Sequence, residues 1–142
     1  MRKENTMETL KKISQIRKSK EEYNGKPEEI VFVFSGALGE NLVKEPNFAG
    51  SAVKILAAFT DKPIQSDFYE VFEMEKLQNL VPRLDVKTAI LCVPHRQAAK
   101  MVERLISSGI TRIWNWSGNV LTSDTVEICN EELEADILGP QN

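Results

Sequence analysis

Histidine is almost absent from this chain of 142 residues: His95 is the only one. There are two cysteines, Cys92 and Cys129, and no CxxC spacing. So poor a supply of soft ligands argues against a structural or catalytic metal site. Both cysteines sit in apolar strand-like runs (AILCVP and VEICN), which points to free thiols in a reducing compartment rather than to a disulfide. Long apolar runs are missing too. None approaches the roughly 18 residues that a membrane span needs, and the charged start of the chain has no signal-peptide core. The expectation is a cytoplasmic protein. Ser, His and Asp are all present, yet no serine stands in a nucleophile-elbow context, so hydrolase chemistry has no support.

What remains is an ordinary globular composition, 42% hydrophobic and 27% charged, at a length suited to one domain. Charge is unevenly placed. Residues 1–20 hold seven Lys/Arg against Glu4 and Glu8, a net of +5, so residues 21–142 carry −8 of the formal −3 total. A basic segment can be a handle for nucleic acid, but it is joined to an acidic body and no recognised docking motif accompanies it. No DNA binding by this chain alone is expected.

The first segment, METLKKISQIRK, places Met7, Leu10, Ile13 and Ile16 on one helical face. YNGKP then breaks the pattern, which divides the chain into a basic helix and linker (1–24) and a main domain (25–142). From there strands and helices alternate. EEIVFVF, VKILAAFT, TAILCVP, TRIWNW and TVEIC read as strands, and SDFYEVF is expected to hold a short edge strand. ALGENLVKE reads as a helix stopped by Pro46, EMEKLQNLVPRL as one running up to its proline, and HRQAAKMVERLISSG as one closed by Gly109. EELEADIL is expected to be a last short helix. This alternation implies an α/β fold: a Rossmann-type parallel sheet with helices on both faces, preceded by one N-terminal helix. Ligands of such sheets bind beyond the carboxyl ends of the strands, which directs attention to SGALG, TDKP, VPHR and NWSGN.

The stretch Ile30 to Leu42, IVFVFSGALGENL, resembles a dinucleotide cradle. Residues 34–39 read F-S-G-A-L-G, so Gly36 and Gly39 keep the second and third glycine positions and Phe34 replaces the first. Glu40 complements the dipole of its helix but puts negative charge where a pyrophosphate would rest. The second strand closes on Thr60 and Asp61, where a ribose-binding acid is usual; Asp61 stands 25 residues past Gly36. Lys62, like Arg96, is a candidate phosphate contact beside the plainer reading of a solvated cation. His95 lacks a partnered carboxylate or nucleophile nearby in sequence, so a surface or ligand-touching role is expected over catalysis. Trp114 and Trp116 alternate along a strand and therefore share a face. The alternatives are two core residues, or one core residue and one lining a pocket.

Taken in order, IVFVFSGALGENL, NFAGSAVKILAAFT, AILCVPHRQAAKMVERLISSGITRIWNW and VEICNEEL resemble the ligand-binding domain of Rex-family redox-sensing repressors. That family has G-x-G-N-L-G after its first strand, A-x-F-D closing the second, a V-P turn on a later strand and A-G-I-x-x-I-x-N-F near the end. The resemblance covers roughly residues 30–135. It implies a non-enzymatic NAD(H)-binding sensor, with pyrophosphate against Ser35, Gly36, Ala37, Leu38 and Gly39. Adenine ribose is implied near Thr60 and Asp61, the middle of the cofactor at Val93 and Pro94, and nicotinamide near Asn115 and Trp116. It also implies transcription regulation, and family members are homodimers. The chain departs from the family at Phe34, at Ala37 and at Thr60, so weaker or altered NAD(H) binding is expected. The 29 residues before the first strand are fewer than a winged helix needs, so a separate DNA-binding or regulatory partner is expected. The alternatives are the same fold binding CoA or another nucleotide, or an interaction subunit that binds no small molecule.

Overall fold

A computed structural model describes residues 26–131. The basic N-terminal helix, the domain boundary after residue 24 and the EELEADIL helix lie outside the described residues. In chain order the elements are β1 (Glu28–Phe34), α1 (Ala37–Leu42), β2 (Val53–Thr60), β3 (Val71–Glu73), a 3-10 turn (Met74–Lys76), α2 (Leu77–Leu84), β4 (Thr88–Cys92), α3 (His95–Ser107), β5 (Arg112–Asn115) and β6 (Glu127–Asn130). The six strands form one sheet in the order β3-β2-β1-β4-β5-β6, and every neighbouring pair is parallel. This is the doubly wound order of a Rossmann fold, as expected.

Continuous apolar strands produce this arrangement because both faces of the sheet are covered. Ile30–Phe34 and Thr88–Cys92 are buried without a break. Their side chains alternate between two cores. Val31, Val33, Ala57, Phe59, Ala89, Leu91 and Ile113 meet Leu77 and Val81 of α2 and Ala98, Val102 and Leu105 of α3. Ile30, Phe32, Phe34, Ala58, Ile90, Cys92 and Trp114 meet Leu42 of α1 together with Val43 and Phe48 of the following connection. A register shift between Ile30 and Val31 skips Leu56 in the pairing with β2. Cys92 and Cys129 are both free, the first buried and the second half-buried.

Two helix boundaries differ from the sequence expectation. The helix expected to reach Pro46 ends at Leu42, because Pro46 disfavours helical geometry at Glu45 and Asn47 turns left-handed at φ 53°. Conversely, α2 continues past Pro82 to Leu84 before Asp85 ends it at φ 57°, ψ 37°. In so short a helix Pro82 costs few intrahelical bonds, so packing of Leu77 and Val81 prevails. At the end of α3, Gly109 (φ 96°) donates to Ile106 O and Ile110 donates to Leu105 O, both at 3.0 Å. That is a Schellman stop, with Ile110 and Leu105 both in the core. The expected edge strand is β3. It is reached by a loop rather than a helix, in which Ser66 Oγ donates to Val43 O at 2.6 Å and the Tyr69 ring meets Phe48 edge-on.

Candidate functional site

Strand order reverses between β1 and β4, since β1 leads outward to β2 on one side and β4 to β5 on the other. The crevice beyond their carboxyl ends is therefore the place where this fold holds ligands. Two helices open there. Gly36 caps α1 with φ 92° and ψ 172°, a conformation essentially closed to residues with a Cβ, and it offers no side-chain cap to the first N–H groups of the turn. A Cβ built on Gly36 would meet nothing within 4 Å, so the space over this backbone is open. Across the crevice, Pro94 caps α3 from an extended conformation. The two sides are tied together: Ser35 N–H donates to Cys92 O at 3.1 Å, and Ser35 Oγ donates to Gln97 Oε1 at 3.1 Å.

Phe34 does not enter this crevice. It is fully buried on the α1 side of the sheet, stacked on Phe32 at 5.0 Å between ring centroids. Gly39 sits directly on it, and a Cβ at Gly39 would come within 2.5 Å of Phe34 Cβ. The third glycine therefore keeps its role of letting helix lie against strand. The side chain that replaced the first glycine is part of the core beneath it.

At the end of β2, Thr60 is buried and directs its hydroxyl to Asp61 Oδ1 at 3.4 Å, while Asp61 itself is exposed. Lys62 lies 4.0 Å from Glu40 in the first turn of α1, so an ion pair joins the end of β2 to α1. Ala37 is exposed, and Leu38 is half-buried against the α1-side core. Val93 is buried, whereas Pro94 is half-exposed and His95 and Arg96 are exposed.

Asn115 and Trp116 stand at the end of β5 as parts of the scaffold. Asn115 Nδ2 donates to Asn130 Oδ1 at 2.6 Å and to Asn119 O at 2.7 Å, and its Oδ1 accepts the Ser117 N–H at 3.0 Å. Asn130 in turn accepts the Leu121 N–H at 3.0 Å and donates to Leu121 O at 3.1 Å. Both tryptophans are core residues: Trp114 is fully buried and Trp116 packs edge-on against Phe48. Sequence reasoning missed Gln97 and Asn130. Gln97 lies one residue beyond the quoted VPHR, where its position in the first turn of α3 was the available signal. Asn130 owes its role to pairing directly with Asn115 across parallel strands, which no local pattern announces.

A cavity of about 540 Å³ lined by Lys26, Pro27, Glu29 and Lys54 lies at the opposite end of the sheet, by the amino ends of β1 and β2. Among the described residues that end carries no helix N-terminus, so the crevice and not the cavity is the candidate site. Among the described residues no cluster of His, Cys, Asp and Glu has the makings of a metal site, and no helix is long and apolar enough to cross a membrane.

Comparison with known proteins bears on the same crevice. The CoA binding domain family matches residues 45–118, which holds Thr60, Asp61, Val93, Pro94, Asn115 and Trp116 but not the glycine turn. Among curated proteins, the redox-sensing transcriptional repressor Rex of Clostridioides difficile (strain 630) is 25% identical over 96 residues, covering 65% of this chain and 46% of that protein. Rex of Clostridium botulinum (strain Alaska E43 / Type E3) is 24% identical over 138 residues, covering 94% and 63%. The chain thus spans about half of these relatives. Among solved structures, RSP in complex with beta-NADH superposes with a TM-score of 0.63 at 24% identity, covering 75% of this chain and 54% of that one. RSP with beta-NAD+ and operator DNA gives 0.62 at 21% identity, covering 89% and 73%. These structures share the fold, and the curated relatives carry the family name that the sequence resemblance pointed to.

Proposed function

This chain belongs to the CoA binding domain family, and from that premise we propose that it is a non-enzymatic dinucleotide-binding sensor module of the Rex type. One observation carries the reading: an open glycine turn at φ 92° and a proline-capped helix face each other at the point where strand order reverses. Its ligand is NAD(H). Gly36–Gly39 cradle the pyrophosphate through backbone N–H groups, with Ser35 fixing the turn against Gln97. Thr60 and Asp61 meet the adenosine ribose, and Val93 and Pro94 form the floor under the middle of the cofactor. Asn115 and Trp116 act at the nicotinamide end, Asn115 by holding the β5–β6 loop and Trp116 by packing on Phe48 beneath it. Binding is weaker than in Rex proteins that keep the family's residues, because a neutral threonine replaces the ribose acid and Glu40 adds negative charge in the first turn of α1. Signalling runs through a partner that supplies DNA recognition, and a homodimer fits the family pattern.

Thermal-shift titration with NADH, NAD+, NADPH and CoA tests this. A ligand at a hundredfold its Kd stabilises the native state by about 2.7 kcal/mol, so NADH raises the melting temperature by several degrees. A redox sensor further requires NADH and NAD+ to differ. No shift with either dinucleotide would overturn the proposal. CoA is the second reading, favoured by the family match itself. A shift with CoA alone would establish it.

A further inference from the structure

The three charged groups at the adenosine side of the crevice are not equivalent. Asp61 is oriented by the Thr60 hydroxyl at 3.4 Å. Glu40 follows Gly39 directly in the first turn of α1 and is half-buried at 27% side-chain exposure; its charge opposes a phosphate placed on the glycine turn. Lys62 is 67% exposed, on a long flexible stem, and reaches Glu40 at 4.0 Å. A contact this long, with one partner exposed, contributes little to folding, because water and salt screen it. It is therefore readily given up for a better anion.

We propose that Lys62 is a ligand-binding residue that exchanges its Glu40 partner for a phosphate of the bound nucleotide, so that Glu40 sets the affinity by competing for it. The inference rests on the reading of the crevice as a nucleotide site. Half-buried on α1, Glu40 is the weaker partner for the lysine ammonium once a pyrophosphate with two negative charges lies beside it. Lys62 then neutralises the ligand at the cost of leaving Glu40 to solvent. The exchange makes the effects of the two residues dependent on each other. Simple screening, in which Lys62 stays on Glu40, leaves them additive.

The experiment is a two-by-two cycle of the full chain, wild type, E40Q, K62Q and the double variant, titrated calorimetrically with ADP and with NADH. E40Q binds about three- to fivefold tighter and K62Q correspondingly weaker, the scale of an exposed charge contact. The loss from K62Q is larger in the E40Q background, where no carboxylate holds the lysine back. All differences shrink in about 1 M salt, where the screening length falls to about 3 Å. Equal losses from K62Q in both backgrounds, or no loss, overturn the exchange while leaving the nucleotide site standing. Absence of binding by wild type and E40Q alike overturns both. Melting temperatures without ligand check that no variant has lost its fold.

Discussion

At the scale of single residues, the two glycines of the β1–α1 turn are required for different reasons, and their substitutions separate accordingly. Gly36→Ala meets no neighbour but is forced into a backbone conformation that costs about 1–3 kcal/mol. Gly39→Ala has ordinary helical backbone and instead collides with Phe34 Cβ, an atom too close to the main chain to move aside. Urea denaturation shows the difference through Phe34. Phe34→Gly alone costs at least about 3 kcal/mol, because it empties a fully buried aromatic site. In its background Gly39→Ala becomes nearly free, whereas the cost of Gly36→Ala is unchanged. Additive costs for Phe34 and Gly39 would refute the packing account. The sequence made Phe34 look like a damaged glycine motif, since a fingerprint records which residue is present but not which way it points. Cys92 gives a second test. Burial pushes its thiol from 9.0 up to about 12. Below pH 9 the thiol is protonated in both states and contributes nothing to the pH dependence. Above it the unfolded chain releases the proton and the folded one does not, so stability falls as pH rises toward 12. Between pH 8 and 10 wild type should lose about 1.4 kcal/mol more than Cys92→Ala, read from urea midpoints. Equal losses would mean that the thiol titrates freely in the folded protein.

At the scale of elements, the β5–β6 connection is held by one amide pair. Asn115 and Asn130 are register partners, and between them they occupy backbone groups of Ser117, Asn119 and Leu121. Removing either amide leaves buried partners unsatisfied, at about 1–3 kcal/mol, and removing both costs less than the sum because the shared contact is lost only once. If the loop frames the nicotinamide half of the crevice, Asn130→Ala weakens NADH binding and leaves ADP binding unchanged. Equal weakening of both ligands would place the loop's influence elsewhere. Such a pair was not legible in the sequence, because parallel pairing joins residues 15 apart that no short window relates. The strands themselves were legible, since buried parallel strands must be continuously apolar. Helix ends were legible where a backbone device marks them, as Gly109 does, and misread where packing overrode a proline, as at Pro82.

At the scale of the whole molecule, the strand order rather than any single motif points to the candidate site. Alternating strands and helices imply a parallel sheet, but they do not give the order of its strands. That order puts β1 and β4 at the centre, covered on both faces, and leaves β3 and β6 as edges with partly exposed side chains. Hydrogen exchange should follow it, because opening a central strand requires nearly global unfolding while an edge opens locally. Amides of Val31–Phe34 and Ala89–Cys92 exchange slowest, and those of β3 fastest among the strands. Nucleotide binding adds a second, independent pattern. Protection rises at 36–39, 60–62, 93 and 95, at the carboxyl ends of the strands, and stays unchanged around Lys26 and Lys54 at the amino ends. Were protection to rise at the amino ends instead, the ligand would sit in the cavity there, and the glycine turn would be a structural feature of the β1–α1 junction alone.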